Sequence, residues 1–330
     1  MKTPKEISRD ILHYILPKNC FGDYLFGLYS FVIANEYYPS MKYPRRFMEH
    51  MLRMKRSGEL YDPLRQMTSD KYRLKQFVAA TVGARYSAET YQLLRTEEDV
   101  ESLSLTAFPC VIKPTHGSSD VVIVRSAADA IDRKSIARWL KIDLYRQYRE
   151  ANYRYLRPAV MVEQMIGDGN GSVAKDYKVY CIDGAPKFIQ VDTDRLTNHV
   201  RNYYNTDWEH LPFTAEDCLI GPVERRPAAL DEMQQVARRL AAYFPGYVRV
   251  DLLYSGREIK ITELDHSTAN CKMRPRPIEY DDMIGALFAD PQRRLRPVTA
   301  QPAADDVLAG EACGGPAVAM PRLAGVRLRP

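Results

Sequence analysis

The stretch of sequence that most constrains the fold runs from residue 247 to residue 265 and reads YVRVDLLYSGREIKITELD. Two runs rich in β-branched, aromatic and aliphatic residues flank Ser255-Gly256-Arg257, which is typical of a turn between antiparallel strands. Apolar and polar side chains alternate along the first run, as they do when one face of a strand is buried. The sequence therefore predicts a long β-hairpin with one apolar face and one charged face.

The charged face of this hairpin carries the residues most directly connected to chemistry. A three-residue loop at 256–258 would place Asp251 opposite Glu263 and Arg249 opposite Asp265. Two opposed carboxylates repel each other, so a cation beside them would reduce the repulsion. Mg²⁺ bound together with phosphate oxygens suits this position because it prefers hard oxygen ligands. From the residues alone, two alternatives stay open: the charges line a solvated face, or a two-residue loop sends Glu263 to the other face.

A second informative stretch is FPCVIKPTHGSSDVVIV, residues 108–124. Lys113 ends a strand-like run and precedes a short turn of small residues, which can present backbone N–H groups to an anion. A lysine beside such a turn adds a positive charge for a phosphate group. An ordinary hairpin turn with a solvated His116 explains the same residues, so both interpretations stay open.

A third stretch reads VEQMI at 162–166 and is followed by DYK at 176–178. A strand end that exposes its backbone suits a flat base, and Asp176 downstream suits ribose hydroxyls. By themselves these residues do not identify a ligand.

Four regions differ in pattern along the chain. Residues 1–68 indicate helices with aromatic faces, 69–166 mix helix and strand, 167–290 contain two hairpins, and 291–330 have no sustained apolar period. Mixed helices and strands joined by hairpins predict an α+β fold rather than a doubly wound parallel sheet.

Two helix starts are also predicted from capping residues. Asp70 is placed to cap a helix that ends at Gly83. Ser126 and Asp129 have the spacing of a capping box and indicate a long helix that runs towards Tyr148.

Composition excludes several classes of protein. The chain of 330 residues has 47 Lys and Arg against 42 Asp and Glu, a net charge of +5 that is too small to indicate nucleic-acid binding. The longest apolar run, residues 24–34, is shorter than the ~20 residues that a membrane span needs. The six cysteines contain no C-x-x-C pair, and no signal peptide is visible. We therefore expect a cytoplasmic protein with reduced thiols, no membrane span and no nucleic-acid partner.

In their fixed order, the strand lysine, the segment 162–166 and the hairpin acids make the sequence similar to the ATP-grasp superfamily. More narrowly, the sequence resembles the TupA-like family of teichuronopeptide-biosynthesis and surface-polysaccharide proteins. The matching segments are DKYRLKQFV (70–78), FPCVIKPTHGSSDVVIV (108–124), DYKVYCIDGAPKFIQVDTDRLTNHVRNYYNTDWEHLPF (176–213) and YVRVDLLY with IKITEL (247–264). The resemblance covers roughly residues 60–290, and the 176–213 segment is its most specific part.

The resemblance implies an ATP-grasp fold in which two lobes clasp ATP. A lid subdomain would cover residues 69–166 and a core subdomain with the metal-binding hairpin would cover 167–290. The helical region 1–68 would precede them, and a flexible tail, 291–330, would follow.

The resemblance also implies a role for each matching side chain. Residues expected to bind the nucleotide are Lys71 and Lys113 at the phosphates, His116, Gly117, Ser118 and Ser119 in the loop above them, Glu163, Gln164, Met165 and Ile166 at the adenine, and Asp176 and Lys178 at the ribose or phosphates. Residues expected to hold Mg²⁺ are Asp251, Glu263 and Asp265, and those expected to be catalytic are Arg249, Arg195 and Arg201. Arg249 would lie near the reacting carboxylate, and the other two arginines would contact the γ-phosphate or an anionic acceptor.

The implied activity is that of an ATP-dependent carboxylate–amine ligase that forms a carbon–nitrogen bond through an acyl phosphate. Its substrates would be a small-molecule or polysaccharide-linked carboxylate and an amine, in cell-surface polysaccharide or peptide-polymer biosynthesis. Three alternatives stay open: a kinase that phosphorylates a hydroxyl, a glycosyltransferase that uses a sugar nucleotide, and a nucleotide-binding protein without turnover. The last alternative is considered because HGSSD at 116–120 replaces the family's H-G-S-G-G, and the loss of two glycines stiffens the loop.

Overall fold

The structure, a computed structural model, describes residues 11–117, 120–169, 173–193, 199–215, 218–290 and 292–298. Ser118, Ser119 and Arg195, which were expected at the site, lie outside these residues. The helices are α1 Cys20–Asn35, α2 Phe47–Ser57, α3 Pro63–Ser69, α4 Lys71–Thr81, α5 Glu97–Glu101, α6 Arg133–Trp139, α7 Leu144–Tyr148, α8 Leu230–Ala241 and α9 Glu279–Gly285. Within the described ranges, no helix is long and apolar enough to cross a membrane.

The strands form two sheets. Their bounds are β1 Thr90–Leu94, β2 Cys110–Pro114, β3 Val122–Val124, β4 Val160–Gln164, β5 Lys175–Ile182, β6 Ala185–Thr193, β7 Val200–Asn205, β8 His210–Leu211, β9 Leu219–Ile220, β10 Tyr247–Tyr254 and β11 Ile259–Asp265. The first sheet has four strands in the order β1-β4-β2-β3, and the second has seven, in the order β11-β10-β5-β6-β7-β8 with β9 beside β7. Apart from the parallel pair β7–β9, the strand pairs are antiparallel. This arrangement confirms the predicted α+β class.

Alternation of side chains along β5, β6 and β10 separates the main core from a polar face. The apolar side of these strands packs against α8 and α4, and the core includes Val179, Ile189, Val191, Val248, Val250, Leu230, Met233, Leu240, Leu74, Phe77 and Val78. The other side carries buried polar residues such as Lys178, Gln190 and Asp251. Because burial of unpaired charges is costly, the polar groups of this face must form ion pairs and hydrogen bonds with one another or with a ligand.

The register of the β10–β11 hairpin confirms the geometric prediction made from the sequence. Asp251 lies opposite Glu263, and Arg249 lies opposite Asp265. The four charged residues therefore share one face of the sheet, as a combined site requires.

The predicted loop of this hairpin, however, is wrong. Tyr254 pairs with Ile259, so the loop contains the four residues 255–258 rather than three. The register then shifts by one residue next to Asp251, where Thr262 is the extra residue of a β-bulge. The Thr262 hydroxyl donates a hydrogen bond to the carbonyl oxygen of Asp251 at 3.2 Å. The bulge offsets the longer loop, which is why the predicted pairs still meet.

The long helix predicted from Ser126 to Tyr148 is also wrong. Ser126 donates a hydrogen bond to Asp129 within a turn, at 2.9 Å, and no helix begins there. Two short helices, α6 and α7, begin instead after Asp132 and Asp143, whose side chains accept backbone N–H bonds. These later aspartates supply the caps that the sequence pattern assigned to the earlier pair.

The folded part of the chain extends past the predicted boundary at residue 290. Leu295 is only 1% exposed, and its carbonyl oxygen accepts a hydrogen bond from Asn205 at 3.1 Å. Arg294 forms an ion pair with Asp207 at 2.6 Å. The first compact unit of the chain ends at Pro297, and a second begins at Val298. The expectation that the tail starts at residue 291 is corrected accordingly.

This boundary makes a prediction about truncation. We expect truncation after Asp290 to lower the free energy of unfolding by roughly 1.5–3 kcal/mol, because the chain loses the buried Leu295 side chain. Truncation after Pro297 should leave it unchanged, since the remaining segment is rich in Pro, Gly and Ala. Urea unfolding followed by circular dichroism measures both. Leu295→Ala in the full chain is the matched control, and an unaltered stability of that variant would contradict a core role for Leu295.

A buried carboxyl group predicts a dependence of stability on pH. Asp281 accepts a hydrogen bond from the Phe47 backbone N–H at 3.0 Å, and burial raises its pKa to about 7 from an ordinary value of 3.8. The unfolded chain therefore releases this proton at lower pH than the folded chain. We expect the free energy of unfolding to fall as pH rises from about 4 to 7, and Asp281→Asn to reduce that fall.

Urea unfolding across this pH range measures the effect. Glu279→Gln, a change at an exposed carboxylate of the same helix, is the control and should keep the pH dependence of the original chain. If the free energy of unfolding fell equally with pH in Asp281→Asn and in the original chain, Asp281 would not be the group responsible.

Candidate nucleotide-binding and active site

The candidate site lies where α4 approaches both sheets. Lys75 of α4 forms an ion pair with Glu163 of β4 at 2.6 Å. Lys71, one turn earlier on the same helix, lies 3.6 Å from Glu263 of β11. One helix thus places two cations between the four-stranded sheet and the charged face of the hairpin.

The start of α4 is fastened to the loop that follows β2. Asp70 caps the helix as predicted, and its second carboxylate oxygen accepts a hydrogen bond from the Thr115 hydroxyl at 2.7 Å. The Lys71 ammonium donates to the carbonyl oxygen of Gly117 at 2.7 Å. A side chain at Gly117 would place its Cβ 2.5 Å from Pro114, so the close approach requires glycine. The structure therefore brings Lys71 and Gly117 together, as the resemblance implies.

His116 is part of the wall of this region. It is only 4% exposed, so the solvated turn histidine considered from the sequence is wrong. Its Nδ1 accepts a hydrogen bond from the Ala159 backbone N–H at 3.4 Å. Burial lowers its pKa, which keeps the imidazole neutral.

Lys113 and Lys75 converge on a single carboxylate. Lys113 lies 2.5 Å from Glu163, and Lys75 contacts the other oxygen of the same group. Burial alone would raise the pKa of Glu163, but the two lysines hold it below its usual value. Lys113, which was expected at the phosphates, is thus paired with Glu163 in this structure together with Lys75, and an anionic ligand would have to replace that partner.

The remaining residues of the expected adenine segment lie at the end of β4. The backbone N–H of Gln164 donates to the carbonyl oxygen of Glu89 at 2.9 Å, and the backbone N–H of Met165 donates to the carbonyl oxygen of Pro109 at 3.4 Å. Met165 and Ile166 are buried. The structure places this segment beside Lys113 through the pairing of β2 with β4.

Asp251 is the most strongly paired acid of the polar face. Arg249 contacts both of its oxygens, at 2.6 and 2.7 Å, and Lys178 donates to one of them at 2.9 Å. Lys178 also pairs with Asp176 at 2.8 Å. Burial would raise the pKa of Asp251, but Arg249 and Lys178 lower it. Asp251 is therefore ionised, and its three short contacts fix its orientation.

Glu263 and Asp265 complete the acidic side of the site. Asp265 pairs with Arg249 at 2.8 Å, and its pKa is raised by burial and by the charges of Asp251 and Glu263. The Glu263 side chain is 25% exposed and has the long contact to Lys71 described above. Asp251, Glu263 and Asp265 thus lie together, and each of them also contacts a cationic side chain.

The donor chemistry of these acids fits Mg²⁺, although they do not form a closed cage. Across the residues with described positions, no group of three or more His, Cys, Asp or Glu is arranged to hold a metal ion. Mg²⁺ is usually held by one or two carboxylates together with substrate phosphates. Glu263, the most exposed of the three, can supply such a ligand, whereas both oxygens of Asp251 contact cations and both oxygens of Asp265 also have protein partners.

Arg201 lies in a second polar network on β5, β6 and β7. It donates to Asp192 at 2.7 Å, and His199 lies 3.1 Å from the same oxygen. Gln190 donates to the other Asp192 oxygen at 2.9 Å and accepts from Tyr180 at 2.7 Å. Burial opposes ionisation of Asp192, but Arg201 and Lys178 lower its pKa to about 2. Lys178, which lies 4.0 Å from Asp192 and 2.9 Å from Asp251, links this network to the acids of the hairpin.

Sequence reasoning missed three residues of this region. Lys75 follows Lys71 by four positions, so helical spacing on one face could have identified it. Glu150 is buried, and burial together with the charge of Asp265 raises its pKa to about 7, although Lys55 opposes the shift. Tyr153 is half-buried, and burial together with the charges of Glu263, Glu150 and Asp265 raises its pKa. Neither Glu150 nor Tyr153 carries a signal in the sequence, because distant segments create their surroundings.

The chain is similar to a known protein family and to solved structures. The model of the family described as TupA-like ATP-grasp matches residues 50–289. A search of curated proteins finds no significant match. Among solved structures, the ATP-grasp ligase PsnB complexed with a minimal precursor is 15% identical, with a TM-score of 0.41, over 73% of this chain and 67% of that chain.

A further similar structure is D-alanine–D-alanine ligase from Bacillus anthracis complexed with ATP. It is 16% identical, with a TM-score of 0.35, over 60% of this chain and 56% of that chain. The present chain therefore spans little more than half the length of that ligase. The family match covers most of the chain, in the region where the strand lysine, the helix lysines and the acidic hairpin come together, and the chain belongs to the TupA-like ATP-grasp family.

Proposed function

We propose that this protein is an ATP-dependent carboxylate–amine ligase that acts through an acyl phosphate. Membership of an ATP-grasp family supports ATP-dependent ligation in general. The observation that carries the proposal is the convergence of Lys71, Lys75 and Lys113 on one side of the site with the carboxylates of Glu263 and Asp265 on the other. Such an arrangement suits a triphosphate, whose charge must be neutralised before one phosphoryl group can be transferred.

The lysines would bind and orient the phosphates. Lys113 and Lys75 would exchange the Glu163 carboxylate for phosphate oxygens, and Lys71 would act beside Gly117. The segment 163–166 would contact the adenine, and Asp176 with Lys178 would face the ribose or the phosphates. Each exchange replaces one charge-assisted bond with another, so the lysines remain paired throughout.

Glu263 and Asp265 would hold Mg²⁺, with Asp251 as the third expected ligand. The bound ion would supply charge neutralisation of the triphosphate. Arg249 is fixed by Asp251 and Asp265, so its guanidinium would be oriented towards the reacting carboxylate without reorganisation. Preorganised positive charge of this kind stabilises the negative charge that develops during transfer.

The acceptor would bind near Arg201, together with Arg195 and the neighbouring His199. Arg201 holds Asp192, and its positive charge would attract a substrate carboxylate. We propose an amino acid or a uronic acid of a cell-surface polymer as the acceptor class, with the cytoplasm as the place of action. Residues 69–166 and 167–290 would form the lid and core subdomains of the active unit.

Trapping of the acyl phosphate tests this proposal. The purified protein is incubated with ATP, Mg²⁺, hydroxylamine and either glutamate or glucuronate, and ADP and hydroxamate are measured. A ligase produces hydroxamate and ADP in equal amounts, because hydroxylamine displaces the phosphate. A stable phosphoester without hydroxamate would show a kinase, and consumption of a sugar nucleotide without ATP would show a glycosyltransferase. Either result would overturn the ligase proposal.

A further inference from the structure

A short segment before α1, residues 11–17, is held firmly against the body of the protein. Its first five residues are helical, and it lies outside the region that matches the family. The fully buried Arg149 donates to the carbonyl oxygens of His13 at 2.7 Å and Pro17 at 3.0 Å, and pairs with Asp23 at 3.3 Å. The orientation of the segment is therefore determined by buried contacts.

The outward face of this segment is apolar. Ile11, Tyr14 and Ile15 are 54%, 77% and 68% exposed. Their spacing of three and four residues places them on one side of the helical turn. Single exposed apolar residues are ordinary, but three on one face that is fixed outward form a surface suited to an apolar partner.

A cationic cavity adjoins this face. It has a volume of about 560 Å³, and its lining includes His13, Tyr14, Arg138, Lys141 and Arg146. Arg146 donates to the Tyr14 hydroxyl at 3.3 Å, so Tyr14 belongs to both the cavity and the apolar face.

The charges around the cavity are mainly positive. Asp143 also lines it, but its carboxylate accepts the backbone N–H of Arg146, and Glu97 pairs with Lys141 at 2.8 Å. Burial lowers the pKa of His13, and the charges of Arg149, Arg146 and Lys18 lower it further, whereas Asp143 opposes them. The cavity therefore has a positive potential that favours an anion.

We propose that the segment 11–17 and this cavity dock the protein on the surface of an anionic lipid bilayer. Ile11 and Ile15 would enter the apolar boundary, while Arg138 and Arg146 would meet headgroup phosphates. Apolar and basic residues side by side are the combination that binds such interfaces. A second copy of the chain fits less well, because it would bring the same positive surface against this one.

Sedimentation of the full chain with vesicles tests the proposal. The protein should pellet with vesicles of equal parts phosphatidylglycerol and phosphatidylcholine, and not with pure phosphatidylcholine, and added NaCl should release it. Ile15→Glu should weaken vesicle binding at least tenfold, and Arg138→Gln should weaken it about fivefold. Val223→Glu and Arg257→Gln, which make matched changes at other exposed positions, should bind like the original chain.

ATP-dependent thermal stabilisation serves as the fold control and should be the same in all four variants. Equal binding to both vesicle types, or no binding to either, would overturn the proposal. Release by millimolar glycerol phosphate would show that the cavity recognises a free phosphate, and concentration-dependent dimers that Ile15→Glu abolishes would show that a second copy covers the face. Both results would also overturn it.

Discussion

Glu263→Gln is expected to lower the rate of ATP turnover by roughly a thousandfold while the fold remains intact. Glu263 is the most exposed of the three acids expected to hold the metal, with 25% of its side chain accessible, and it lies 3.6 Å from Lys71. Its proposed role is to hold Mg²⁺ on the triphosphate, and the neutral amide is a poor substitute for a carboxylate ligand. Release of ADP at saturating ATP measures the effect, with thermal unfolding as the check on folding.

The hairpin offers a matched control for this variant. Glu258→Gln removes the same charge from an exposed loop position whose partner is Lys260, at 3.0 Å. We expect its turnover to equal that of the original chain. Raising the Mg²⁺ concentration should recover part of the activity of Glu263→Gln if the carboxylate binds the ion. Turnover by Glu263→Gln at the original rate would exclude Glu263 from the site.

Asp251→Asn should behave differently, because Asp251 also stabilises the folded structure. Both of its oxygens contact buried cations, Arg249 and Lys178. Removal of one partner from a buried charged cluster typically destabilises a protein by about 3–5 kcal/mol. We therefore expect Asp251→Asn to lose turnover and also stability, which makes Glu263→Gln the cleaner test of the metal site.

The charged face of the hairpin was predictable from the sequence because the alternation of side chains along β10 determines it. Alternation along β10 forces Val248 and Val250 into the core, and this fixes Arg249 and Asp251 on the opposite face whatever the loop does. The loop length was not predictable in the same way. A bulge at Thr262 can absorb one residue at little cost, so several loop lengths are compatible with one register near the site.

Other parts of the site depend on contacts that no local pattern reports. The Lys75–Glu163 pair joins a helix to a strand that is 88 positions away in sequence, so neither residue signals the other. The division of the predicted helix after Ser126 has a similar cause. Five aspartate or serine residues between positions 126 and 148 could each cap a helix, and packing rather than the local sequence decides which of them does.

The second large effect is expected for Lys113→Met, which should weaken ATP binding by about 1.5–3 kcal/mol, or roughly ten- to 150-fold. Lys113 ends a buried strand, and its ammonium contacts Glu163 at 2.5 Å. In the proposed complex a phosphate replaces that partner, so the variant loses a charge-assisted contact. Isothermal titration calorimetry with ATP measures the change, and Lys134→Met, at an exposed position, should bind ATP like the original chain.

A structural role for Lys113 predicts a different pattern, and two further titrations separate the roles. If Lys113 contacts a phosphate, its loss should affect ATP strongly and adenosine hardly at all, because adenosine has no phosphate. If Lys113 only neutralises Glu163, the double variant Lys113→Met with Glu163→Gln should restore ATP affinity, since the unpaired carboxylate is then gone. Lys75 would still face the neutral amide, so the helix contact survives in that variant. Equal weakening of ATP and adenosine, or recovery in the double variant, would assign Lys113 to the framework of the site and leave phosphate binding to Lys71 and Lys75.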